Sequence, residues 1–168
     1  MKLAEALAER ADIIRRLDHL RGRMTAHVYV QEGTTPPEDP NALLRQFDDL
    51  AATLTDLIRR INHTNSVTPF AAPATDGTVD PGQPATVTDA LALRDTLRLR
   101  TAATRQLADA AQAPQSRYSL REIAWVPTVD PAALQQRADD LAREQRLLDL
   151  RIQELNWSVE LLEDSGKP

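Results

Sequence analysis

The chain has 168 residues, of which 42% are hydrophobic and 27% charged, so it is long enough to bury a core without disulfides or metals. Its net charge of −5 argues against nucleic acid as the main partner, because that binding depends on Lys and Arg neutralising phosphates. The absence of cysteine excludes disulfides, thiolate metal sites and cysteine nucleophiles.

The amino-terminal segment does not have the pattern of a targeting signal. Residues 1–10 alternate charged side chains with Leu and Ala, and lack the apolar centre of a secretory signal. No run in the sequence approaches the roughly 18 apolar residues that a membrane span requires. We therefore expect a cytoplasmic protein without stable insertion into a membrane.

Two helices separated by a loop are predicted in the first part of the chain. Apolar residues recur every three or four positions over residues 2–30, which is typical of one amphipathic helix. Pro36 and Pro37 predict a loop over residues 31–39, because proline cannot continue a helix. A broadly apolar second helix is predicted over residues 40–64, and we expect it to lie centrally.

Two of the four helices start with the same local signal. Asp39 is followed by Pro40, and Asp130 by Pro131. Aspartate can cap free backbone amides, and proline suits the first helical position, so each pair predicts a helix start. The second pair opens the longest predicted helix, over residues 131–163.

The middle of the chain is predicted to contain a long surface loop and a third helix. Residues 66–85 hold four prolines, which rule out a regular helix there. Thr86 and Asp89 resemble a capping box with aspartate in place of glutamate, and predict a third helix over residues 87–111. Further on, residues 123–126 form a short apolar run that could make a brief strand or pack as a loop.

The fourth helix carries the most regular pattern. Leucine recurs every seventh residue, and mostly apolar or β-branched residues fall between in steps of four and three, as in a coiled-coil seam. The leucines are Leu134, Leu141, Leu148, Leu155 and Leu162, and the residues between them are Ala138, Gln145, Ile152 and Val159. We predict an all-α fold in a single domain, residues 1–168, with four long helices in an antiparallel up-down bundle of two helical hairpins.

A second apolar line lies on the opposite face of the fourth helix. It consists of Leu147, Leu150, Trp157 and Leu161, and Glu154 interrupts it. A simple amphipathic helix would be polar on that side. We therefore predict that these four residues contact a neighbouring helix or a second subunit, and that the protein is a homo-oligomer.

Three asparagines are predicted to lie at the same end of the bundle. Asn62 and Asn65 end the second helix, and Asn156 lies near the end of the fourth, which runs parallel to it. Buried amides there would hydrogen-bond one another and fix the helix register. Alternatively, Asn62, Asn65, Glu154 and Asn156 would form the floor of a ligand pocket, for a ligand that the sequence does not identify.

Catalytic and metal-binding motifs are sparse. The sequence has no Gly-x-Ser-x-Gly motif and no glycine-rich phosphate loop, and none of its three histidines follows a glutamate at the spacing used in helical metal sites. We therefore predict no catalytic residues and no cofactor. One alternative stays open, a carboxylate and histidine metal site formed by His27, Glu32, Glu38 and Glu122.

Five short motifs, spread over nearly the whole chain, resemble one known family. In order they are Val30-Gln31-Glu32-Gly33, Glu38-Asp39-Pro40, Arg60-Ile61-Asn62 with Thr64-Asn65, Thr128-Val129-Asp130 and Gln153-Glu154-Leu155-Asn156-Trp157. Together they resemble the septicolysin-like family of small bacterial proteins. The resemblance implies a cytolysin-like activity but assigns no residue a role.

The sequence favours a non-enzymatic role. A surplus of apolar helix surface, without a catalytic constellation, indicates a helical protein that self-associates and serves as an interaction or scaffold module. The alternative, prompted by the resemblance and by amphipathic helices that could reorganise, is a cytolysin-like membrane-active protein. A metal-dependent enzyme with the carboxylate and histidine site is the third hypothesis.

Overall fold

The computed structural model describes residues 1–70, 85–112 and 126–163, and within these ranges the protein is all-α. Its helices are α1 (Leu3–Ala26), α2 (Pro40–Val67), α3 (Val87–Gln112) and α4 (Pro131–Ser158). Helix α1 packs against α2, and α3 against α4, which confirms the predicted fold class. The apolar run predicted as a strand or loop, residues 123–126, lies outside the described residues except for Val126.

The helix starts form as their capping signals predict. The Asp39 carboxylate accepts a hydrogen bond from the backbone N–H of Asn41 at 2.9 Å, and Asp130 accepts one from Ala132 at 2.9 Å. At α3 the cap is reciprocal, because Thr86 N–H donates to the Asp89 carboxylate at 3.0 Å. These bonds satisfy amides that have no partner within the helix.

Helix α1 ends at Ala26, earlier than the predicted residue 30. His27 leaves the helical conformation, and its N–H bonds the carbonyl of Met24 at 3.3 Å. Val28, whose apolar side chain extended the predicted helix, is 57% exposed and therefore gains no packing from a further turn. In the loop that follows, Gly33 has φ of +83°, a conformation that favours glycine.

The chain divides into two compact units. The first comprises Met1–Thr68 with Glu154–Pro168, and the second comprises Pro69–Gln153. The core of the first unit brings α1 and α2 together with a residue that follows α4. Its buried members are Leu3, Ala6, Ile13, Leu57, Ile61 and Leu161.

The second unit has its own buried residues on α3 and on most of α4. On α3 these are Val87, Ala90, Leu97, Thr101 and Ala108, and on α4 they are Ala138, Leu141, Leu148 and Ile152. An ion pair joins the two helices, with Arg98 Nη2 at 3.9 Å from an Asp149 carboxylate oxygen. Apart from Phe70 and Thr101, the described buried residues of this unit are aliphatic, as the low aromatic content predicts.

The heptad face of α4 is its buried face. Leu141, Leu148 and Leu155 are 6%, 6% and 9% exposed, and Ala138 and Ile152 between them are also buried. Five residues of the predicted seam are thus buried, whereas Leu134, Gln145 and Val159 are half-buried and Leu162 is exposed. No helix among the described residues is long and apolar enough to cross a membrane.

Helix α4 ends at Ser158, before the predicted residue 163, because the next residues bond to the amino-terminal segment. Leu3 N–H donates to the Val159 carbonyl at 2.9 Å, and Leu161 N–H donates to the Met1 carbonyl at 2.8 Å. This antiparallel pairing replaces a further helical turn and leaves Leu162 39% exposed.

Candidate functional site

The first candidate site is the exposed apolar face of α4. Trp157 is 68% exposed, Leu150 58% and Leu147 38%, whereas Leu148 beside them is buried. Isolated exposed apolar residues are ordinary on protein surfaces, but three at helical spacing form a line on one side of a helix. These three residues, Leu147, Leu150 and Trp157, define the exposed face of α4.

Leu161, predicted to belong to the same surface, does not. It is only 6% exposed and packs in the core of the first unit. The prediction placed Leu161 four residues after Trp157 on a continuing helix, but α4 ends at Ser158 and the chain becomes extended. Helical spacing therefore no longer decides the direction of this side chain.

The predicted polar layer is only partly buried. Asn65 and Asn156 are half-buried, whereas Asn62 and Glu154 are exposed. Burial was therefore wrongly predicted for Asn62, because it lies one position past Ile61, off the face of α2 that packs in the core. The ligand-pocket alternative for these four residues stays a prediction.

A threonine, and not the predicted asparagines, forms the buried polar link between α2 and the segment after α4. Thr64 is fully buried, its hydroxyl donates to the Arg60 carbonyl at 2.8 Å, and the same oxygen accepts from Leu162 N–H at 3.0 Å. Thr64 follows Leu57 and Ile61 at spacings of four and three, on the buried face of α2. That spacing is the signal that could have identified it.

Arg60 reinforces the same link from the surface. Its guanidinium lies 2.9 Å from a Glu163 carboxylate oxygen, and its Nε donates to the Leu162 carbonyl at 3.4 Å. The side chain is only 18% exposed although it is charged. Thr64 and Arg60 together fix the segment after α4 on α2.

One of the residues considered for a metal site, Glu38, is paired with an arginine. Arg23 Nε donates to Glu38 at 3.0 Å, and its Nη2 pairs with the other oxygen of that carboxylate. His27 Nε2 lies 3.6 Å from Glu38 Oε2. Because both carboxylate oxygens face a guanidinium, Glu38 is poorly placed to bind a cation.

The electrostatics of Glu38 agree with this arrangement. The hydrogen bonds from Arg23 hold the pKa of Glu38 below its usual range, and Glu38 in turn raises the pKa of Arg23. Glu32 is exposed, and Glu122 lies outside the described residues. Within the described ranges, no group of three or more His, Asp or Glu side chains is suited to hold a metal ion.

Comparisons with known proteins agree on fold and name no activity. Residues 10–161 match the profile of a family of unknown function, DUF6847. A crystal structure described as a functionally unknown conserved protein from Corynebacterium diphtheriae is 40% identical, with a TM-score of 0.81 over 96% of this chain and 99% of that one. Among curated proteins, none matches the chain.

Proposed function

The chain belongs to DUF6847, a family of unknown function, and from its surface we propose that it is a non-enzymatic helical protein that self-associates through the exposed face of α4. In this role it serves as a scaffold or interaction module. The observation that carries the proposal is the exposure of Trp157, 68% of whose surface faces solvent at the end of a long helix.

Trp157 has the properties of an interface anchor. Tryptophan is enriched among the residues that dominate binding energy, because it buries a large area at little cost in conformational entropy. Covering the exposed part of one tryptophan would contribute on the order of 3 kcal/mol, and a twofold-symmetric contact would use it twice. Leu150 lies two turns before Trp157 on the same side of α4 and extends the apolar area.

Substitution of these side chains tests the proposal. We expect Trp157→Ala and Leu150→Ala to lower the oligomer mass measured by light scattering while leaving helix content in circular dichroism unchanged. Leu99→Ala is the matched control, since Leu99 is 72% exposed but lies on α3. If Trp157→Ala alters neither mass nor helix content, or if Leu99→Ala lowers the mass equally, the interface is wrong.

A second proposal, cytolysin-like membrane activity, is supported by the loop after α1. Val28, Tyr29 and Val30 are 57%, 90% and 47% exposed, so three consecutive apolar or aromatic side chains face solvent. Such side chains can enter the interfacial region of a bilayer. The resemblance to the septicolysin-like family points the same way.

Dye release from liposomes tests this second proposal. We expect release by the native protein and reduced release by Tyr29→Ser, because the substitution removes the aromatic ring. Val126→Ser is the control, since Val126 is 76% exposed at a distant position in the sequence. An absence of release at every pH and lipid composition would exclude membrane activity.

A further inference from the structure

An open cleft of about 600 Å³ lies between α1 and α2, within the first unit. Its volume falls inside the range of roughly 300 to 1,000 Å³ that is usual for small-molecule sites. The buried Leu20 and the half-buried Leu50 lie on its core side. None of its lining residues belongs to α4, so it is separate from the proposed self-association surface.

The wall contributed by α1 is basic. Arg15, Arg16, His19 and Arg23 line it on successive turns, within an arc of about 100° at about 100° per residue. Three guanidinium groups therefore lie on one wall of the cleft. Arginine is the side chain best matched to phosphate, because its planar donors can form two parallel hydrogen bonds.

The arginines of this wall are only partly neutralised by neighbouring carboxylates. Arg15 and Arg16 share Asp12, at 3.3 and 3.8 Å, and both are well exposed. Exposed pairs of this kind contribute little and can exchange partners at small cost. Arg23 is held by Glu38, which fixes its guanidinium at the end of the cleft toward the loop.

The wall contributed by α2 is a hydrogen-bonding surface. Gln46, Asp49 and Thr53 line it, and the structure gives no hydrogen bond or ion pair to the Gln46 amide or the Asp49 carboxylate within the described ranges. The Thr53 hydroxyl donates to the Asp49 carbonyl at 3.0 Å and keeps its acceptor lone pairs free. A carboxylate facing the basic wall favours a ligand that also carries hydroxyl donors.

From these two walls we infer that the cleft binds a small polyol phosphate, with the phosphate on Arg15 and Arg16 and hydroxyl groups on Asp49 and Gln46. Phe, Tyr and Trp are missing from the described lining, so the planar groups on which a nucleobase could stack are limited to His19 and the guanidinium groups. A polyhydroxy chain or sugar ring needs no such platform. A polyol phosphate would thus contact both the positive charge of the α1 wall and the hydrogen-bond acceptors of the α2 wall.

Calorimetric titration of the full chain with glucose 6-phosphate, inorganic phosphate and glucose tests this inference. Glucose 6-phosphate should bind saturably, phosphate more weakly, and glucose not measurably. Binding should weaken as salt is raised, because the arginines are exposed. No saturable heat with glucose 6-phosphate, or equal affinity for phosphate alone, would overturn the inference.

Matched variants separate a specific site from general charge attraction. Arg16→Gln and Arg15→Gln should each weaken glucose 6-phosphate binding by about tenfold, the loss of one charge-assisted contact. Arg10→Gln changes the net charge equally but lies outside the cleft lining on α1, and should leave affinity unchanged. An equal loss in Arg10→Gln would reduce the effect to nonspecific attraction and overturn the site.

The role of the opposite wall has its own test. Asp49→Asn should reduce the preference for glucose 6-phosphate over inorganic phosphate by about tenfold, because a charged acceptor of hydroxyl groups is lost. Circular dichroism of every variant checks that the helices remain. An unchanged preference would contradict the assignment of hydroxyl groups to α2. Neither result bears on self-association through α4.

Discussion

Thr64 shows how one hydroxyl can join two distant parts of the chain. It is buried on α2, yet its oxygen receives the backbone N–H of Leu162, beyond the end of α4. An unsatisfied polar group in such a position costs about 1 to 3 kcal/mol. The link between α2 and the segment after α4 therefore depends on a side chain that is small and only weakly polar.

We predict that Thr64→Val destabilises the protein by about 1 to 3 kcal/mol, because valine keeps the shape and leaves the Leu162 N–H without its acceptor. Urea denaturation measures the change. Thr55→Val is the control, since Thr55 is exposed and its hydroxyl bonds only its own helix, at the Ala51 carbonyl. Equal losses in the two variants would show that the link to Leu162 contributes nothing.

Glu38 gives the first unit a pH-dependent contact. Its pKa is lowered in the folded protein, chiefly by hydrogen bonds from Arg23. A lowered pKa stabilises the folded state at pH values above the unfolded pKa of a glutamate, about 4.3, and that contribution disappears as pH falls through the folded pKa.

We predict that Glu38→Gln is less stable than the native protein at neutral pH, and that the difference vanishes in acid below the usual range of a glutamate. Urea denaturation at a series of pH values measures it. Glu32→Gln, a change in an exposed carboxylate of the same loop, should show no comparable dependence. A difference between Glu38→Gln and the native protein that is constant with pH would contradict the ion pair.

At the level of elements, the capped helix starts are predictable from the sequence, whereas the end of α4 is not. Asp39, Asp130 and the Thr86 and Asp89 pair cap amides within three residues of themselves, so the local sequence suffices. The end of α4 instead depends on hydrogen bonds to Met1 and Leu3, at the other end of the chain. Only the folded structure brings those segments together.

In the candidate sites, too, some features are predictable from the local sequence and others depend on the fold. The proximity of His27 and Glu38 is predictable because both flank one loop. The sequence does not reveal that the Arg23 guanidinium pairs with the Glu38 carboxylate. The arginines of α1 are visible as a charged face. Their position opposite Asp49 depends on how α1 and α2 are rotated about their axes, which is settled by packing.

The two faces of α4 should respond differently to truncation. We predict that Leu148→Ala lowers the free energy of unfolding by about 2 to 5 kcal/mol, because Leu148 is 6% exposed and its loss leaves a cavity. Leu150→Ala, at a position 58% exposed, should have an effect only where self-association contributes.

Urea denaturation at low and high protein concentration distinguishes the two faces. The Leu148→Ala loss should be the same at both concentrations, whereas the Leu150→Ala loss should appear only at the higher one, since a folded assembly is stabilised by mass action. A Leu150→Ala loss that is independent of concentration would place that side chain in the core of its own chain.

At the scale of the whole molecule, the protein has two units, each with its own buried residues, and an α4 with one buried and one exposed apolar side. The buried side packs in the core, whereas Trp157 on the other side is 68% exposed. In the proposed self-association, a second copy of the chain would cover that exposed side.

The mass of the native protein in solution, measured by light scattering over a micromolar concentration series, tests this claim most directly. We predict a mass above that of one 18.7 kDa chain, rising with concentration and falling on dilution, as for a reversible symmetric assembly. A mass of one chain at every concentration would contradict it.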